Sequence, residues 1–175
     1  MPHISKPQPG EYAPYAIMYI DLLPDDGQVL THLRENLDVT KAFIRSFPAE
    51  KLATPCAPRE WTIKEILVHV SDSERIFAYR ALRIARGDST PLSGFEQDDY
   101  VPKARANERD IDNILEEYTA VRMATCTLLE SFEEEIFMRA GTASENRVSV
   151  RGLAYIIAGH ELHHVQSIRE NYGGG

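Results

Sequence analysis

Thr62-Ile63-Lys64-Glu65-Ile66-Leu67-Val68-His69-Val70-Ser71-Asp72 decides how this chain folds. Thr62 followed by Glu65 three residues later has the spacing of a capping box, in which two side chains satisfy free backbone N–H groups at a helix start. Apolar residues then recur at Ile63, Ile66, Leu67, Val70, Phe77, Ala81 and Ile84, the period of an amphipathic helix, until Gly87 stops it. A helix with one apolar face needs partners, and the rest of the chain supplies them.

Upstream, Asp26 reads as an N-cap, and Val29, Leu30, Leu33, Leu37, Phe43, Ile44 and Phe47 keep helical spacing as far as Pro48. Residues 51–60 hold Pro55 and Pro58 and form a loop ending at Trp61. Downstream, residues 87–106 hold Pro91, Gly94 and Pro102 and show no sustained period beyond a turn at 96–100. A third helix starts at Asn107 or Asp110 and carries Ile111, Ile114, Leu115, Tyr118, Val121, Leu128, Leu129 and Phe132, with Gly141 beyond its end. A fourth is capped by Ser149 and carries Leu153, Ile156, Ile157, His160, His164 and Ile168 before a glycine run at 173–175. No β pattern competes. Residues 1–24 hold five prolines with Tyr12, Tyr15 and Tyr19, and read as an extended arm laid on the surface.

Four long helices in one stretch of 175 residues imply a single all-α domain, a four-helix bundle. The long connection between the second and third helices provides the return path that a parallel pair needs, so the expected order is up-down-down-up. A formal net charge of −8 argues against nucleic acid as a partner. No apolar run approaches the roughly 20 residues that span a bilayer. The first residues lack a signal-peptide pattern, which makes cytoplasm the expected location. Cys56 and Cys126 form no CxxC motif or disulfide framework and read as reduced thiols.

The chemistry sits in His160-Glu161-Leu162-His163-His164. Positions i and i+4 stack on one helix face about 6 Å apart, so two imidazoles can converge on one ion. His163, at i+3, shares that face, and spacing alone leaves open which of the pair serves. The candidate third ligand is His69, although a lone histidine on an apolar helix is more often a hydrogen-bonded core residue. Three neutral imidazoles leave coordination positions open, as catalytic sites require. Rings with an ordinary pKa would release a metal below about pH 6.

Around that triad, Asp72, three residues after His69, is the candidate acceptor for its ring N–H, with a solvated carboxylate as the alternative. Glu161 points about 100° from His160 and is a poor base. Arg80, Arg83 and Arg86 lie too far along the helix to reach the ion, and either bind a distal substrate carboxylate or pair with Asp88, Glu96, Asp98 and Asp99. Trp61 reads as a packing anchor or a pocket wall. Cys56 has no ligand spacing.

In residues 61–74, in Tyr79-Arg80-Ala81-Leu82-Arg83-Ile84-Ala85-Arg86-Gly87-Asp88, in the histidine motif and in the Pro/Tyr-rich start, the sequence resembles the DinB-like superfamily over nearly its whole length. The resemblance implies an up-down-down-up bundle, frequent homodimers, and a divalent metal held by one histidine of the second helix and an HxxxH pair of the fourth. Carried over residue by residue, it points to His69, His160 and His164, and to His164 over His163. It implies thiol S-transfer with a low-molecular-weight thiol as the leading activity, metal-dependent hydrolysis of a small molecule as the second, and non-enzymatic metal or small-ligand binding as the third. A bound metal serves the first two by making thiolate or hydroxide available at neutral pH. Imidazole ligation suits Zn, Ni, Fe or Cu, so the metal's identity stays open.

Overall fold

The computed structural model describes residues 2–173; Met1, Gly174 and Gly175, at the ends of the expected arm and glycine run, lie outside the described residues. Its elements are α1 (Ile17–Ile20), α2 (Val29–Arg45), α3 (Ala49–Leu52), α4 (Ile63–Ala85), α5 (Gln97–Ala104), α6 (Ile111–Glu130), a hairpin of β1 (Ala140–Ala143) and β2 (Asn146–Ser149), and α7 (Val150–Tyr172).

Three of the long helices begin where side-chain chemistry places them. Thr62 Oγ1 accepts the Glu65 N–H at 3.2 Å and Glu65 Oε2 accepts the Thr62 N–H at 2.8 Å, a complete capping box for α4. Asp110 caps α6 by accepting the Asp112 N–H, and Ser149 caps α7 by accepting the Gly152 N–H. Asp26 does not cap α2. The chain turns at Gly27, at φ +72, and Asp26 instead accepts the Gln28 N–H and pairs with His32. A Cβ at Gly27 would lie 2.2 Å from the His3 ring, so only glycine fits this turn.

α4 packs on α6 and α7, and α2 packs on the same two from the other side. Cross-links give the senses. Arg34 meets Glu130 and Arg45 meets Asp112, so α2 and α6 are antiparallel. Lys64 bonds the Arg109 carbonyl and Arg75 bonds Glu117, so α4 and α6 are parallel. Tyr172 bonds the Trp61 carbonyl while His69 meets His160, which makes α4 and α7 antiparallel. Thr40 bonds Glu161 and Arg169 lies over Phe43, so α2 and α7 run together. The parallel α4/α6 pair is bridged by the long connection, which contains α5 where the sequence suggested only a turn.

Two further expectations fail. The first is the absence of strands: β1 and β2 pair antiparallel, with Gly141 opposite Val148, through a turn at Ser144 and Glu145 with φ of 48 and 64. Four-residue strands without alternation, joined by no Asn-Gly signal, leave little trace in a sequence. The second is the surface arm. Ile4, Ala16, Ile20 and Leu23 are buried, and α1 packs on α7 as an added layer. Gly159 permits this, since a Cβ there would sit 2.1 Å from the Tyr19 carbonyl oxygen.

The core divides along the bundle axis. One apolar cluster holds Leu33, Ile84, Leu129 and Ile157, the other Ile63, Leu67, Tyr118 and Ile168. Between the two clusters three of the helices carry buried or partly buried polar residues: Glu74 on α4, Arg122 on α6, and His160, Glu161 and His164 on α7. This polar layer contains the candidate site.

Candidate metal centre

The three histidines meet in that layer. Nε2 of His69 lies 3.1 Å from Nε2 of His160, which lies 3.2 Å from Nε2 of His164, and one ligand atom from each ring falls within 4.8 Å of the others. Neutral rings can share hydrogen bonds at these distances, and a cation can engage all three at once. Nitrogens about 2.0–2.1 Å from a tetrahedral ion stand roughly 3.3–3.4 Å apart, and both His160 contacts lie within a few tenths of an ångström of that spacing. The donor set suits a divalent metal with open positions. His163 is not part of the cluster; its ring stands edge-on to Tyr19 and His164.

Burial keeps these rings neutral and ready to ligate. His69 and His160 are 4% and 5% exposed, and His164 is partly buried. Loss of solvation lowers the pKa of His69 to about 4 and that of His164 to about 3, and takes His160 well below the ordinary range. Aromatic walls supply the burial: Trp61 lies 4.9 Å from His69 between ring centroids, Tyr19 5.3 Å and Phe77 5.8 Å from His160. A cavity of about 280 Å³ opens over His164, with Cys56, Arg59, Trp61, Asp98 and His163 in its wall.

One of the two carboxylates falls differently from the sequence reading. Asp72 pairs with Arg75 at 3.3 Å and is not bonded to His69, because three residues of helix turn it toward α6, where Arg75 also meets Glu117. Glu161 points away from the cluster, as expected, into a buried network: it accepts from Thr40 Oγ1 at 2.7 Å and from the Tyr118 hydroxyl, and faces Arg122 at 2.7 Å. Arg122 grips Glu74 with two nitrogens and donates to the Leu33 carbonyl. Arg83 pairs with Asp88, one of the expected ion pairs, and Arg86 stacks over Phe132. Arg80 makes no ion pair among the described residues.

Sequence reasoning missed Tyr19, Phe77 and Asp98 as site residues. Phe77 carried a usable signal, since eight residues from His69 it returns to the same helix face. Tyr19 and Asp98 arrive through tertiary packing alone.

A sequence profile of the DinB superfamily matches residues 32–168. The chain belongs to that superfamily. A protein of Geobacillus thermodenitrificans (strain NG80-2), described as a "Putative metal-dependent hydrolase", is 24% identical over 154 residues, covering 85% of this chain and 86% of its own. The solved structure of YfiT from Bacillus subtilis, described as a probable metal-dependent hydrolase with an unusual four-helix bundle topology, superposes with a TM-score of 0.72. It covers 97% of this chain and 94% of its own at 15% identity, a likeness of fold. The four-helix bundle expected of this DinB-type chain is thus the fold it has. Among the described residues no helix is long and apolar enough to cross a membrane.

Proposed function

We propose that this protein is a metal-dependent hydrolase in which His69, His160 and His164 hold one divalent ion facing the cavity over His164. The observation that carries the reading is the convergence of three neutral imidazoles, two buried and one partly buried, with His164 in the wall of a cavity. A divalent ion bound there supplies a water whose pKa is lowered toward 7 and an electrophile for a substrate oxygen. The chain's own residues do the remainder. Trp61, Tyr19 and Phe77 fix the ring planes and exclude bulk water from three sides. Of the two carboxylates in the cavity wall, Glu60 and Asp98, Asp98 is the one whose charge reaches His69, and it is the group we assign to accept the proton released by the nucleophile.

Hydrolysis replaces thiol transfer as the leading chemistry because both relatives above are described as hydrolases, while the histidine geometry serves either nucleophile. The test is turnover of a panel of activated esters, amides and phosphoesters by zinc-reconstituted protein. Hydrolysis lost on chelation and in His164→Ala, with kcat lowered in Asp98→Asn, is the expected result. Turnover of an electrophile only when a low-molecular-weight thiol is added would restore the transferase reading. Tight metal binding with neither activity would leave a binding protein.

A further inference from the structure

Three arginines of this protein are buried, and two of them have carboxylates: Arg122 holds Glu74 and Glu161, and Arg151 holds Glu11. The third is Arg80, 5% exposed, with no carboxylate within ion-pair distance among the described residues. Its Nη2 donates to the Ser93 carbonyl at 2.7 Å and to Ser144 Oγ at 2.9 Å, both neutral. Nε and Nη1 have no acceptor among the described residues and are not among the sealed polar atoms, which leaves them open to adjoining space. Burial of a charge without a counter-charge is costly, and here it depresses the guanidinium's pKa.

The open space is a cavity of about 360 Å³ between α4 and the segment that follows it. Tyr79, Leu92, Phe95 and Tyr100 give its mixed wall an apolar and aromatic part, and the Arg80 Cζ lies 5.9 Å from the ring centroids of both Phe77 and Phe95. Arg83, the other cation of the wall, is already taken by Asp88. A chain of net charge −8 thus keeps one unpaired, desolvated guanidinium at the wall of a ring-lined cavity. That arrangement matches an amphipathic anion: a carboxylate accepting from the free Nε–H or Nη1–H at one end, an apolar body at the other.

We propose that this cavity binds a small organic acid, with Arg80 taking the carboxylate and Phe95, Tyr79, Tyr100 and Leu92 taking the apolar body. The site is separate from the histidine centre, with Phe77 as the wall between them, and it does not depend on the hydrolase reading.

The probe is phenylacetate, with phenylacetamide as its neutral isostere, titrated calorimetrically into the full chain freed of metal by chelation and again after zinc loading. Phenylacetate is expected to bind one to one in both forms, and phenylacetamide at least tenfold more weakly. Arg80→Gln should lose at least tenfold in phenylacetate affinity. Thr90→Trp, an exposed position on the cavity wall that leaves the guanidinium untouched, should lose as much and decides the matter if Arg80→Gln does not fold. The proposal is overturned if phenylacetate fails to bind, if acid and amide bind equally, if Thr90→Trp leaves binding intact, or if binding appears only with zinc, which would put the acid on the metal.

Discussion

Arg122→Met should be among the most damaging single substitutions in this protein. Arg122 is fully buried, and its guanidinium neutralises two glutamates that are themselves 1–2% exposed, with Nε and Nη2 each 2.9 Å from a Glu74 oxygen and Nη1 2.7 Å from Glu161. Removing it leaves two uncompensated carboxylates between the apolar clusters, the situation in which a broken buried pair costs about 3–5 kcal/mol. Against a total stability of about 5–15 kcal/mol for a domain, and with 1 kcal/mol moving the melting temperature by about 2–4 °C at this size, the variant should melt roughly 6–20 °C lower. The assay is reversible denaturant unfolding and thermal melting of metal-free protein, with Glu74→Gln/Arg122→Met/Glu161→Gln beside it. Replacing the whole group removes the uncompensated charges and should recover much of the loss. A single Arg122→Met costing under about 1 kcal/mol, or a triple variant worse than the single one, would refute the charge-compensation argument.

Gly159→Ala should destabilise by about 1–3 kcal/mol although alanine favours helix by about 1, because its Cβ would lie 2.1 Å from the Tyr19 carbonyl oxygen and must push the N-terminal layer off α7; chemical denaturation reads the sign. Metal-free protein should lose stability in acid, because His69 titrates at about 4 when folded and near 6.5 when unfolded. The unfolded chain then takes up protons first, so this stability is whole above about pH 6.5 and falls progressively toward pH 4, as urea midpoints across that range will show. Metal-loaded protein should melt higher than metal-free protein by an increment that survives at pH 5, since burial keeps the folded rings deprotonated there, in contrast to the fading below about pH 6 that ordinary histidines imply. At a hundredfold excess over Kd that increment is about 2.7 kcal/mol, and the metal-free chain should still unfold cooperatively on its own core.

The bundle was legible because its signals are local. Thr62/Glu65, Asp110 and Ser149 are caps whose partners lie within three residues, and the apolar stripes repeat along each helix. The histidine pair of α7 was legible for the same reason, and the family resemblance resolved His163 from His164. What escaped depends on contacts far apart in sequence. Tyr19 reaches His160 across about 140 positions because Gly159 has no side chain, Asp98 arrives on a short helix that no period announces, and the hairpin has strands too short to alternate. Asp72 was misplaced because proximity along a helix does not fix which neighbouring helix a side chain faces; α6 offered Glu117 and Arg75 closed the pair. Arg80 shows the same limit in reverse. Its carboxylate partners were plausible by sequence distance, and the fold gives them to Arg83 or to none.

The central claim is that His69, His160 and His164 together hold a metal, and metal content measured on purified variants tests it most directly. Elemental analysis of zinc-reconstituted, buffer-exchanged protein should find about one ion per chain in the wild type and in His163→Ala, whose ring lies outside the cluster. It should find little in His69→Ala, His160→Ala or His164→Ala. Equal metal in His163→Ala and His164→Ala, or an ion retained when His69 is removed, would contradict it.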